Sequence, residues 1–406
     1  MFQLFKPKTK NTVIYSYPIK FKLKSDIKLK KPKLFSKSIV LMEYKSGQIL
    51  YQKNPNKIIP PASLTKLVTL FLIYQKLKTS KVKKSDFIPI SKNAWAGKLP
   101  RRTSRMFLEP DHRVTIFDIM KGLAIPSGND AAVAISEYFN GSVESFVDEM
   151  NQEMKKLGFK NLKFKDASGL SPENKINAIE FIQFCRIYLQ KNPEAIRELH
   201  SHKFFTYPRA ENLPIQQIGK RNFIKQKNRN SLLGKLKGVD GLKTGYIDKS
   251  GFNIALTAKR NDIRLLAVIL GARGRTKRRG ALNRRKDGMK ILNFGFNQYV
   301  TLTMKIPLLK KVKIWKGIKN SIHISPLKEV EVSIHKTQIK FLKAFVKMKR
   351  EVFAPLPNRK SVGELIFKID QKIIKSFPLY PVNQVPRARF FKRTFDSVKY
   401  FISSLF

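Results

Sequence analysis

The chain has 406 residues, 82 Lys+Arg against 28 Asp+Glu, a formal net charge of +54 and one cysteine, Cys185. A lone cysteine excludes an internal disulfide framework, and the length allows one large core plus a smaller module. The charge implies attraction to polyanions (nucleic acid, anionic lipid, anionic wall polymer), yet no nucleic-acid-binding module is readable.

The five histidines (His112, His200, His202, His323 and His335) are scattered, so no metal site and no cofactor are expected. No Gly-x-Ser-x-Gly elbow and no phosphate-binding loop occurs, which argues against a Ser-His-Asp hydrolase or a nucleotide hydrolase.

Residues 1–37 are rich in lysine and read as a basic, poorly ordered lead-in. Their longest apolar run is Val13-Ile14-Tyr15, too short for the core of a secretory signal. The next informative stretch is Ser63-Leu64-Thr65-Lys66, entered through Pro60, Pro61 and Ala62 and followed by an apolar run from Leu67 to Leu77. It predicts a buried helix with a hydroxyl and an amine on one face. A lysine amine held there can take the serine proton, so Ser63 and Lys66 are a candidate nucleophile and base. Four other Ser-x-x-Lys tetrads begin at Ser25, Ser80, Ser325 and Ser333, and none of them opens such a helix.

Pro126-Ser127-Gly128-Asn129-Asp130 is a turn of small polar residues before a helical run from Ala131 to Phe139. Read blandly, Ser127 or Asn129 caps that helix. Ser142 to Leu157 is a helix whose Phe146, Met150, Met154 and Leu157 share a face. Asn177 reads as the cap of a helix from Ala178 to Leu189, with Glu180 completing a capping box. Val239 to Gly245 carries Lys243-Thr244-Gly245 and precedes strands at Phe252–Leu256 and Leu265–Gly271.

From 301 to 383 the pattern changes to short apolar runs: Val312-Ile314, His323-Ile324, Val330-Ile334, Ile339-Phe341, Phe345-Met348 and Leu365-Ile369. This predicts a small β-sandwich. After Pro386, Phe391, Phe395, Val398, Ile402 and Leu405 recur on one side, with Lys392, Asp396, Lys399 and Ser403 opposite. Such a helix suits a membrane interface, while its charges argue against spanning.

Ser-x-x-Lys, Ser-x-Asn and Lys-Thr-Gly in this order are the signature of penicillin-recognising serine acyl-enzymes. The chain resembles the low-molecular-mass penicillin-binding proteins, serine-type D-alanyl-D-alanine carboxypeptidases of cell-wall metabolism. The likeness extends to Ser38–Tyr51 as a hairpin with Lys45-Ser46-Gly47 at its turn, to Pro61–Lys66, to Gly158 through Leu170, and to Asn228-Arg229-Asn230. It implies an α+β fold: a β-lactamase/transpeptidase-like catalytic domain at 38–300, built from an antiparallel sheet, flanking helices and a helical subdomain. The small β domain (301–383) and an amphipathic anchor helix (386–406) follow.

The resemblance also implies roles. Ser63 attacks the carbonyl between the terminal D-alanines of a peptidoglycan stem peptide, Lys66 is the base, and Ser127 relays the proton to the leaving D-alanine. Asn129 holds the substrate amide, and Lys243, Thr244 and Arg229 bind the terminal carboxylate beside Gly245. Backbone N–H groups of Ser63 and Tyr246 form the oxyanion hole. An unperturbed lysine is only ~0.04% neutral at pH 7, so burial and the Lys243 charge must lower Lys66. Tyr246 stands where relatives often carry His, and the Arg229-to-Lys243 spacing is slightly short.

The expected partners are the stem peptide, β-lactams and a membrane surface, at the outer face of the cytoplasmic membrane. A β-lactamase or endopeptidase of the same fold, and a basic nucleic-acid-binding protein, are the alternatives. For a β-lactamase, Glu173 to Asn177 would supply Glu-x-x-x-Asn.

Overall fold

The computed structural model describes residues 12–18, 32–79, 81–220, 222–306, 308, 309 and 311–405, which fall into two compact units. The division lies between Asn297 and Gln298, and the second unit includes the described residues near the N-terminus.

The larger unit is built on a five-stranded antiparallel sheet. Its order is Ile49–Lys53, Ser38–Glu43, Ile263–Ala272, Gly251–Arg260, Val239–Ile247. All six residues of Ser38–Glu43 are buried, as expected for a strand flanked on both sides. The Lys243-Thr244-Gly245 sequence lies on Val239–Ile247, paired on one side only in this sheet, with Thr244 opposite Ile254. One edge of the strand is therefore left for another backbone to approach.

Six helices complete the unit. Helix α1 (Lys66–Thr79) is apolar around most of its circumference and buries every residue from Lys66 to Tyr74. It is the central helix of the core and meets α5 (Ala178–Lys191) through the Phe71–Phe184 ring pair at 5.6 Å. Helix α2 (Ile116–Ala124) starts at a Thr115/Asp118 capping box, and α4 (Val143–Lys156) is capped by Ser142, which accepts from Ser145 N. Asn177 caps α5 by accepting from Glu180 N at 2.8 Å. The Glu180 carboxylate does not return to the Asn177 backbone, as a full capping box requires. It accepts instead from Asn161 N and its side-chain amide.

Helix α3 (Asn129–Asn140) has Gly128 at its N-cap with no side-chain cap, so neither Ser127 nor Asn129 serves that bland role. Helix α6 (Lys277–Gln298) contains Gly288 and Gly295, where an added Cβ would lie 2.8 Å from Leu232 and 2.6 Å from Leu265 respectively. Residues 273–286 carry eight lysines and arginines, and Arg284 among them is buried.

The smaller unit holds a seven-stranded sheet and a two-stranded pair, Tyr299–Met304 with Val330–His335. Leu342–Lys349 alternates buried and exposed along its length, the pattern of a strand with one face on a core. Two expectations are corrected. Thr12–Tyr17, assigned to the basic lead-in, is an edge strand antiparallel to Leu342–Lys349, with Ile14 opposite Lys347; its β-branched and aromatic residues suit a strand. Ile339–Phe341 lies in a 3-10 turn, Lys336–Phe341, of which Ile339 is the buried member. The rest of residues 1–37 is described only at Pro18 and from Pro32 onward.

Helix α7 (Phe390–Leu405) turns its polar side inward: Asp396 accepts from Lys316 N at 2.6 Å, and Tyr400 meets Trp315 edge-on at 5.3 Å. Phe390, Phe391, Phe395, Val398, Phe401 and Ile402 are all at least half exposed. The Ser403 and Leu405 side chains lie outside the described residues.

In the larger unit, Asp287 of α6 is fully buried and accepts from Phe35 N, Ser36 N and Ser36 Oγ. It ties the entry to Ser38–Glu43 to a helix some 250 residues away. Asp287→Ala is expected to lower stability by about 3 kcal/mol in urea unfolding, whereas the exposed Asp262→Ala stays within about 0.5 kcal/mol.

Candidate active site

The site is assembled at the start of α1. Ala62–Thr65 forms a 3-10 turn before the helix proper, and Ala62 has a left-handed φ of 51°. This kink presents Ser63, half-buried, at the helix mouth. Two glycines allow close approach to it. A Cβ on Gly169 would lie 1.9 Å from Ala62 O, and one on Gly245 would lie 2.6 Å from Pro61 O and 2.9 Å from Ser63 N. The loop after Ala167 and the Lys-Thr-Gly strand thus both lie directly against the serine turn.

Lys66 is completely buried. Its Nζ stands 3.3 Å from Ser63 Oγ and donates to Asn129 Oδ1 at 2.6 Å and to the Ser168 carbonyl at 2.5 Å. Burial pulls the Lys66 ammonium down to about 7, against the Asp166 and Asp130 carboxylates, which act the other way. Ser127, two residues before Asn129, is buried and has a left-handed φ of 72°. Asn129 N donates to Ser104 O, and Asp130 accepts from the N–H groups of Met106, Phe107, Leu108 and Ala131. The turn is therefore held from beneath by a buried carboxylate.

Lys243 is buried, with Nζ donating to Thr244 O at 3.2 Å. Its pKa falls well below the ordinary lysine value, through burial first and then the charges of Lys66, Arg229 and Arg284. Sequence reasoning expected Lys243 to depress Lys66. Burial alone lowers Lys66, and the influence runs the other way: the Lys66 charge is among the causes that lower Lys243, after burial.

Arg229 is exposed, and its charge reaches Lys243. Its neighbours fix its backbone: Asn228 donates to His202 O at 3.0 Å and Asn230 to Gly241 O at 3.2 Å. Thr244 is buried, whereas the Tyr246 ring stacks on Phe252 at 4.2 Å and its hydroxyl donates to Asp248. The structure therefore brings the Ser63, Lys66, Asn129 and Lys243 groups into one neighbourhood.

Glu173, the glutamate of the β-lactamase alternative, is exposed on the loop before α5. Two residues of that region were missed. Ser168 supplies the carbonyl on Lys66, and Asp166 holds it there, accepting from Ser168 N, Ser168 Oγ and Ser171 N at 2.7 Å each. The readable signal was Asp-x-Ser-Gly, a turn-forming pattern. The expected scatter of the histidines also has an exception. His112 lies with Glu109 and Asp111, their ligand atoms within 4.8 Å of one another, and its Nδ1 is 2.9 Å from the Tyr207 hydroxyl.

Comparison with known proteins agrees over nearly the whole chain. Residues 26–274 match the D-alanyl-D-alanine carboxypeptidase family, and residues 298–387 match the C-terminal domain of penicillin-binding protein 5. D-alanyl-D-alanine carboxypeptidase DacC of Escherichia coli is 34% identical over 374 residues, covering 90% of this chain and 88% of that protein. DacF of Bacillus subtilis is 33% identical, covering 88% of this chain and 89% of that protein. The crystal structure of penicillin-binding protein 5 from Haemophilus influenzae superposes with a TM-score of 0.78 at 30% identity, covering 89% of this chain and all of that one. The chain belongs to the D-alanyl-D-alanine carboxypeptidase family of penicillin-binding serine acyl-enzymes.

Proposed function

We propose that Ser63 is the nucleophile and Lys66 its base in removal of the terminal D-alanine from peptidoglycan stem peptides. One observation carries this reading. A neutral amine has two N–H donors and one lone pair. Asn129 Oδ1 and the Ser168 carbonyl take the two donors, which leaves the lone pair for the Ser63 hydroxyl 3.3 Å away.

Ser63 Oγ attacks the carbonyl between the two D-alanines as its proton passes to Lys66 Nζ. The C–N bond then breaks, and Ser127, at the turn that delivers Asn129, carries a proton to the departing amine. The N–H groups of Ser63 and Tyr246 stabilise the oxyanion, and the Ser63 N–H is beside the Lys-Thr-Gly strand as that role requires. Lys243, Thr244 and Arg229 receive the terminal carboxylate. Water then cleaves the Ser63 ester. A β-lactam acylates the same hydroxyl, and its fused ring stays attached.

The exposed aromatic face of α7, with Arg389, Lys392, Arg393 and Lys399 on the same helix or just before it, supports binding to an anionic membrane surface. No helix among the described residues is long and apolar enough to cross a membrane. This favours peripheral attachment in the cell envelope, where the stem peptide resides.

Three outcomes test these assignments. Ser63→Ala is expected to abolish covalent labelling by a fluorescent penicillin without loss of the folded state. Because the base works as the neutral amine and its pKa is about 7, acylation should rise as pH increases through 7 and fall roughly tenfold per unit well below it. A flat stopped-flow profile between pH 5 and 8 would remove Lys66 from the role. Deleting residues 387–406 should release the protein from anionic vesicles in flotation while leaving penicillin labelling intact.

A further inference from the structure

His200 is completely buried at the end of a π-helical turn, Ile196–His200, that packs against the Val239–Ile247 strand. A Cβ added at Gly241 would lie 3.0 Å from the His200 Cβ, so strand and histidine are in direct contact one residue from Leu242. The imidazole Nε2 is 2.8 Å from the Tyr188 hydroxyl of α5. Burial raises the Tyr188 phenol well above its usual range, so the hydroxyl that meets Nε2 stays protonated. His200 Nδ1 is buried with no hydrogen-bond partner among the described residues, and the Leu242 backbone acts on the ring from the strand.

Burial and the charge of Lys243 hold the ring neutral, down to about pH 3. The neutrality matters chemically. Lys243 is already buried under the charges of Lys66, Arg229 and Arg284, and a charged imidazole behind it would add to that repulsion. The histidine touches no residue assigned to catalysis except through the strand on which Lys243 lies.

We propose that His200, held by the Tyr188 hydroxyl and packed on the strand at Gly241, is a positioning residue that sets the seat of Gly241 and Leu242 and thereby the point from which Lys243 and Thr244 meet the substrate carboxylate. The role rests on the assignment of Lys243 to that carboxylate. It predicts a loss confined to recognition of the terminal charge, where a packing residue would lower every reaction alike.

The test compares hydrolysis of a peptide ending in D-Ala-D-Ala with its C-terminal amide. Wild-type enzyme should prefer the acid in kcat/KM, and Lys243→Gln should erase most of that preference. If either fails, the carboxylate assignment falls, and the role of His200 with it. Given both, His200→Phe should reduce the acid-to-amide ratio about tenfold, mainly through KM of the acid, and His200→Gln, which keeps a donor and an acceptor, should restore most of it. An unchanged ratio in folded His200→Phe overturns the proposal, as does an equal loss on acid and amide. Should His200→Phe not fold, Tyr188→Phe keeps the ring and removes only the hydroxyl that meets Nε2. A smaller fall in the same ratio supports the proposal, and an unchanged ratio defeats it.

Discussion

The buried amine of Lys66 organises the site. A charged ammonium with no solvent access is costly, and the cost is relieved either by pairing or by losing the proton. This fold brings the Lys66 ammonium down to about 7, so the neutral amine is well populated near neutral pH, while keeping hydrogen-bond acceptors on the nitrogen. Asn129 comes from the start of α3, Ser168 from the loop before α5, and Ser63 from the turn before α1. Three segments far apart in sequence therefore converge on one nitrogen atom. Each has its own support: Asp130 under the 127–130 turn, Asp166 under Ser168, and left-handed Ala62 under Ser63. Backbone strain at Ala62 and Ser127 persists because these contacts over-determine it.

Under the proposed assignment the second lysine favours an anionic substrate terminus. The charges of Lys66, Arg229 and Arg284 all bear on Lys243. A carboxylate brought by a substrate relieves that repulsion on arrival, and a neutral terminus does not. The tightness of the backbone at Gly245 and Gly169 matters for the same reason, since a displaced strand would alter the distance between Lys243 and the serine turn.

Much of this was legible in the sequence, and the limits are physical. Ser63, Lys66, Ser127, Asn129 and Lys243-Thr244-Gly245 could be found because each motif sits at a turn-to-helix or turn-to-strand boundary that local chemistry marks. Helix starts at Ser142 and Asn177 were readable for the same reason, as side chains there cap the backbone two or three residues on. Ser168 was not, because its contribution is a backbone carbonyl, and carbonyls carry no residue signature. Its partner is 102 residues away. The Thr12–Tyr17 strand was hidden by its lysine-rich surroundings and by a partner strand more than 300 residues along the chain. For α7 the heptad-like pattern identified the two faces correctly, but could not say that Asp396 and Tyr400 face a protein surface.

The distribution of the few acidic residues explains how so basic a chain folds. Asp130, Asp166 and Asp287 each gather several backbone N–H groups from a loop, and Asp118 joins Thr115, Arg209 and Asn212. Such carboxylates act as staples whose partners are mostly neutral donors. They leave the surplus of lysine and arginine largely without acidic neighbours at the surface. The formal charge of +54 therefore understates how cationic the exterior is, because part of the opposing charge lies inside. An exterior of that kind is drawn to anionic surfaces over a distance set by salt, about 8 Å at physiological ionic strength. In the proposed attachment the exposed aromatic face of α7 would supply the short-range contact that charge alone lacks. In the proposed peripheral attachment, long-range attraction and short-range insertion would act in sequence, and neither would draw on the residues around Ser63.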